Sequence, residues 1–144
     1  MILLPIQAYT GPGTIPHLKP CEILVVTEGG GHLGYQGKLV VLQDGSVSVT
    51  RSMREKPQAA TRFRLNRTEF VRLKRQIAAT DFDALHQAPS AKHAPSAVDG
   101  IDRGRAVRKA PGARGWSNVR WQLPSEPVPL FETIDALLAR ARDR

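Results

Sequence analysis

Two runs decide the fold: Lys38-Leu39-Val40-Val41-Leu42-Gln43 and Ser46-Val47-Ser48-Val49-Thr50-Arg51, on either side of Asp44-Gly45. Both are rich in residues that favour extended backbone. In the second, Val47 and Val49 alternate with Ser46, Ser48 and Thr50, the pattern of a strand wet on one face. A two-residue Asp-Gly connection suits a type I′ turn, whose twist matches paired strands. The stretch therefore predicts an antiparallel hairpin over 38–51. Upstream, Cys21-Glu22-Ile23-Leu24-Val25-Val26-Thr27 reads as a strand bounded by Pro20 and Gly29. Four glycines within six positions (Gly29, Gly30, Gly31 and Gly34) then predict a loop spanning Thr27 to Gln36.

Downstream, Arg62-Phe63-Arg64-Leu65 alternates like a short strand. Asn66-Arg67-Thr68-Glu69 has the form of a capping box, and Phe70, Leu73 and Ile77 fall on one helical face, which predicts a helix near 67–79. Asp81-Phe82-Asp83-Ala84-Leu85 is expected to tuck two apolar residues under the helix end, with Asp81 and Asp83 capping or solvating a turn. Residues 86–100 carry Ala-Pro and Pro-Ser punctuation and read as a long loop. Arg105-Ala106-Val107-Arg108 and Ser117-Asn118-Val119-Arg120-Trp121-Gln122 read as strands separated by a turn at Ala110-Pro111-Gly112-Ala113. Pro129 suits a helix start, and Leu130, Phe131, Ile134, Leu137, Leu138 and Ala141 form a stripe that predicts a helix over 129–142.

Short connections between strands favour antiparallel pairing. The expected fold is α+β, an antiparallel β-sheet with two α-helices packed on one face. Residues 1–20, with six prolines and glycines, form a lead segment, and 21–144 form a single domain. The expected core is Ile23, Val25, Leu39, Val41, Val47, Val49, Phe63, Leu65, Phe70, Leu73, Ile77, Phe82, Leu85, Val119, Trp121, Ile134, Leu137 and Leu138.

Composition narrows the chemistry. The 144 residues include one cysteine, so neither an internal disulfide nor a Cys-rich zinc site is expected. Apolar runs are too short for a membrane span and the start has no signal-peptide pattern, which predicts a soluble cytoplasmic protein without a membrane partner. His17, His32, His86 and His93 form no metal-ligand spacing, Cys21 reads as a small buried hydrophobe, and no nucleophile, base and orienter assemble. The glycine run lacks the Gly-Lys-Ser/Thr of a phosphate loop. No catalysis, metal or cofactor is expected. Twenty-one Lys and Arg against thirteen Asp and Glu give a net charge of +8. Nine basic residues stand against two acidic ones over 51–75, and six against one over 101–120. Such clusters suit nucleic-acid phosphates, with Trp116 and Trp121 as stacking surfaces, or an acidic protein partner.

An apolar strand ending in Thr27-Glu28-Gly29-Gly30-Gly31, then Leu65-Asn66-Arg67-Thr68-Glu69-Phe70 with Leu73 and Ile77, then Asp81-Phe82-Asp83-Ala84-Leu85, Asp99-Gly100 and the Pro129–Ala141 helix resembles the emfourin-like family of small bacterial proteins. The resemblance covers roughly 21–142. Two features depart from the family pattern: Ile101 to Gly115 is basic and broken by glycine rather than aromatic, and the 38–51 hairpin is more developed. The resemblance implies a non-catalytic inhibitor that binds a thermolysin-like zinc metalloprotease. The loop between the first two strands is the candidate contact, with Glu28, Gly29, Gly30, Gly31, His32, Leu33 and Tyr35 as partner-binding residues. Its glycines allow close approach, Glu28 or His32 could meet the protease metal or its polar neighbours, and Leu33 or Tyr35 could fill an apolar pocket.

Overall fold

Strands β2 (Tyr35–Leu42) and β3 (Ser46–Met53) form the expected antiparallel hairpin, with Val41 opposite Val47 and Leu39 opposite Val49. The structure, a computed structural model, describes residues 15–30, 35–53, 56–57, 60–87, 101–109, 112–117 and 127–143. The hairpin connection is not the two-residue turn that Asp44-Gly45 suggests. It runs over three residues, Gln43 to Gly45, and the Gly45 N–H donates to the Leu42 carbonyl at 3.0 Å. Gly45 has a φ of +89°, so the turn closes with a left-handed residue, as three-residue hairpins do. Two bonds hold the longer form. Ser46 N–H donates to the Asp44 carboxylate at 2.9 Å, and Leu65 N–H donates to the Gly45 carbonyl at 3.0 Å.

Strands β1 (Glu22–Gly30), β4 (Lys56–Pro57), β5 (Thr61–Arg64), β6 (Ile101–Lys109) and β7 (Gly112–Ser117) complete a seven-stranded antiparallel sheet. Its order is β4-β3-β2-β1-β6-β7, and β5 lies beside the first half of β3. The region after β6 differs from expectation: Gly112 and Ala113 are strand rather than turn, since Lys109 pairs with Gly112 and Arg108 with Ala113. The run Gly-Ala-Arg-Gly-Trp has no β-branched residue, and its extended form is set by pairing with β6 rather than by propensity. Residues 118–122, expected as the rest of a strand, lie outside the described residues, as do 88–100 of the expected long loop. The backbone of His86 and Gln87 belongs to a helix instead.

The β1–β2 register shifts between Glu22 and Leu24. Such a bulge changes which residues share a face. Ile23 and Leu24 both join the core, after which Leu24, Val26 and Glu28 line one side and Val25 and Thr27 the other. Alternation counted from Ile23 therefore chose Val25 for the main core, whereas Leu24 and Val26 occupy it; Val25 is buried outside that cluster. The cluster joins these residues to Leu39, Val41, Val47, Val49, Leu65 and Val107, and to Leu73, Ile77 and Phe82. Trp116, Leu130, Phe131, Ile134, Leu137, Leu138 and Ala141 complete it. Phe63, Phe70 and Leu85 are half-buried against it, and Val119 and Trp121 lie outside the described residues.

Helix α1 (Arg67–Ala79) starts at the capping box: Glu69 N–H donates to Asn66 Oδ1 at 2.8 Å and Asn66 N–H donates to Glu69 Oε1 at 2.9 Å. Helix α2 (Phe82–Gln87) is capped by Asp81, whose carboxylate accepts from Ala84 N–H at 3.1 Å. Helix α3 (Pro129–Arg142) begins at its proline. Arg140 joins α3 to α1 by donating to Glu69 Oε2 at 2.9 Å, while its guanidinium lies 4.4 Å from the Phe63 ring centre. Ahead of β1, Pro16 is buried and Ile15 rests where a Cβ at Gly115 would collide with it. Cys21 is exposed, not buried as expected, because β1 begins one residue later. No helix among the described residues is long and apolar enough to cross a membrane.

Two outcomes follow from the local geometry. Gly45→Ala gains only ordinary contacts at 3.8 Å, so its cost is the left-handed backbone, about 1 kcal/mol, read as a lower urea midpoint with an unchanged slope. The Asn66 amide and, after it, Arg140 hold the Glu69 carboxyl below its ordinary value of 4.5, against some desolvation. A depressed carboxylate stabilises the fold above its unfolded pKa and loses that contribution as pH falls through the folded one. Glu69→Gln is therefore expected to lower stability by about 1 kcal/mol at pH 7, with the gap to wild type closing in urea melts below pH 4.5.

Candidate functional site

β1 is paired on both edges to its last residue. Glu28 stands between Gly37 and Arg103, Gly29 between Gln36 and Asp102, and Gly30 between Tyr35 and Ile101. The expected Thr27–Gln36 loop is thereby corrected: Thr27 to Gly30 and Tyr35 to Gln36 are strand, and only 31–34 connect them. Glycine has poor strand propensity, but a neighbour on each side supplies the ladder that propensity does not. Gly30, with φ +127°, bends the backbone out of β1 in a conformation that side-chain-bearing residues rarely adopt. Of the candidate residues, Gly31, His32 and Leu33 lie outside the described residues.

Glu28 points inward. It is 8% exposed, on the same side as Leu24 and Val26. Both Nε and Nη2 of Arg103 donate to its Oε2, at 3.1 and 2.7 Å, and Arg103 Nη1 donates to Asp135 Oδ1 on α3. Burial works against the Arg103 charge, but the Glu28 and Asp135 carboxylates outweigh it and the pKa rises. A carboxylate committed in this way is ill-placed to approach a metal in another molecule. Glu28 instead locks β1 to β6 and, through Arg103, to α3. Tyr35 folds back over its own strand: its Oη would be 2.7 Å from a Cβ at Gly37, so the residue opposite Glu28 must be glycine for the ring to lie there. Burial, then the Glu28 charge, raises the phenol pKa above its ordinary 10.0. Tyr35 thus covers the ion pair.

One strand position further into the core, Arg105 takes the place of an apolar residue. It is 4% exposed, opposite Val26 and Trp116. Its guanidinium carbon lies 3.9 Å from the Phe131 ring centre and 5.2 Å from that of Trp116. Its Nε and Nη1, and Trp116 Nε1, have no hydrogen-bond partner among the described residues. Burial, and then the neighbouring Arg103 charge, pulls its pKa down to about 9. The aromatic faces offset part of the cost of this charge. Sequence reasoning missed this group, although Arg103, Arg105 and Val107 share a parity that marks one strand face.

The two basic clusters fare differently. In the second, Arg103 and Arg105 point inward, Arg108 donates to the Glu22 and Lys19 carbonyls, and Lys109 donates to that of Thr80. Trp116 is fully buried and offers no surface for a base to stack on, which corrects that expectation; Trp121 lies outside the described residues. In the first cluster Arg62, Arg64, Arg67, Arg72 and Arg75 are exposed. Among the described residues no three His, Cys, Asp or Glu side chains gather in a metal-binding set. No model of a known protein family matches the chain, and comparison with curated proteins finds no match.

The environments of the two inward-pointing arginines respond oppositely to mutation. Glu28→Gln removes the main counter-charge of Arg103, and about 2 kcal/mol of stability is expected to be lost, since Asp135 remains. Arg105→Met keeps the apolar stem and removes the unpaired charge, so the melting temperature is expected to hold or rise. A melting temperature several degrees lower for Arg105→Met would show that its aromatic contacts outweigh its desolvation.

Proposed function

We propose that this chain is a non-catalytic protein-binding module of the emfourin type, which inhibits a thermolysin-like metalloprotease by presenting residues 31–34 to its cleft. The observation that carries the reading is the rigid support beneath that tip. The last three residues of β1 are paired on both edges and anchored by the buried Glu28–Arg103 pair. A segment delivered from a fixed frame loses little entropy on binding. In this reading Glu28, Gly29, Gly30 and Tyr35 position the tip, and His32 and Leu33 make the contacts. Helices α1 and α3 share one face of the sheet, supported by the single cluster that joins their apolar stripes to Leu24, Val26, Leu39, Val41, Val47 and Val49. The cellular site that fits is the cytoplasm.

A second reading, phosphate binding by the basic surface, is favoured by the exposed Arg62, Arg64, Arg67, Arg72 and Arg75. It has less to rest on, because four basic residues of the second cluster are tied up internally. Titration with mixed DNA and RNA at low salt measures it; tight binding that falls steeply with salt would favour it over the inhibitor reading.

The inhibitor reading is tested by assaying a thermolysin-like metalloprotease on a peptide substrate with increasing amounts of this protein. Inhibition at near-stoichiometric amounts is expected, weakened at least tenfold by His32→Ala with Leu33→Ala. No inhibition of any such protease, including one encoded beside this chain, would refute the reading. Full inhibition by the double variant would refute only the assignment to the tip.

A further inference from the structure

At the other end of α3 lies a groove unrelated to the β1–β2 tip. It runs along the outer side of α1 from Arg67 to Ala79, with α2 and the start of α3 as its far wall, and encloses about 920 Å³. The twelve residue steps from Arg67 to Ala79 correspond to about 18 Å, the length of a three-turn helix rather than of a compact ligand. Val71 is exposed on α1, and Ala79, Leu85, Val128 and Pro129 continue the apolar lining. Arg67, Arg72 and Arg75 stand along it against the single carboxylate of Asp81. All three arginines are solvent-exposed and none forms an ion pair among the described residues.

We propose that this groove is a second docking surface, for an acidic amphipathic helix of a protein partner. The partner's apolar side chains lie over Val71 and Leu85, and its carboxylates meet Arg67, Arg72 and Arg75. An apolar floor with predominantly positive charge along it matches the way amphipathic helices enter grooves, and the charge selects acidic helices over basic ones. This surface is separate from the proposed protease contact, so either can fail without the other.

The test uses the full chain and two labelled synthetic peptides of sixteen residues. One has Leu at i, i+3, i+4 and i+7 spacing with Glu elsewhere; its twin carries Lys in place of Glu. Fluorescence anisotropy is expected to show binding of the Glu peptide only, weakened at least tenfold by Arg72→Glu with Arg75→Glu and, separately, by Val71→Glu. Circular dichroism of the variants checks that these exposed substitutions leave the fold intact. Equal binding of both peptides, or of wild type and variants, overturns the proposal. So does failure of the Glu peptide to bind; a melting temperature lowered by Val71→Glu would then mean that the chain's own residues fill the groove. A concentration-dependent dimer abolished by Val71→Glu would seat a second copy there. An oligonucleotide that needs the arginines but not Val71 would assign the surface to nucleic acid. Either result overturns the proposal.

Discussion

The structure hinges on a charge placed where a core residue would stand. After the bulge at Ile23, alternation along β1 runs Leu24, Val26, Glu28 on one side, so the apolar row ends in a buried carboxylate. An unpaired carboxylate in that position would cost several kcal/mol, and the fold depends on Arg103 reaching it from the adjacent strand. One guanidinium then touches β1 through Glu28 and α3 through Asp135. Gly37 leaves room for Tyr35 over the pair, and Arg51 from β3 donates to the Leu138 carbonyl of α3 at 2.9 Å. Polar bonds thus tie this end of the sheet to α3, while at the opposite end Lys109 donates to the Thr80 carbonyl after α1.

Those ties explain the handling of charge across the chain. A net charge of +8 suggests a surface looking for anions, yet several arginines serve internal purposes. Arg103 neutralises a buried acid, Arg108 ties the approach to β1 against β6, and Arg140 completes the Glu69 network that also caps α1. Arg105 is the exception, a cation lying against two rings with two donors unmet among the described residues. Much of the positive charge left outside stands on α1 and β5, at Arg62, Arg64, Arg67, Arg72, Lys74 and Arg75.

Local signals in the sequence translated well where they were self-contained. The capping box at Asn66–Glu69 and Pro129 with its stripe located both long helices, and alternation at Ser46–Thr50 set the correct face of β3. What failed depended on partners. Glycines 29 and 30 look like a loop until strands on both sides hold them extended. The Asp-Gly turn took a third residue because Leu65 and Ser46 supply bonds that no two-residue window contains. The bulge at Ile23 reversed the parity on which Val25 was chosen. Trp116 and Arg105 were missed because they sit in glycine-rich, charged strands whose burial comes from α3. At the candidate site, the residue types were legible but their directions were not: Glu28 and Tyr35 turn into the protein rather than toward a partner.

Everything proposed for residues 31–34 rests on the rigidity of the strand ends that flank them, at Gly30 of β1 and Tyr35 of β2. Native-state hydrogen exchange, residue by residue at the Glu28, Gly29, Gly30 and Gly37 amides, tests it most directly. The account predicts protection close to that of Val25 and Val26 in wild type, reduced at least tenfold at these positions alone in Glu28→Gln. Exchange in wild type as fast as in an open loop, or protection indifferent to Glu28→Gln, would contradict it.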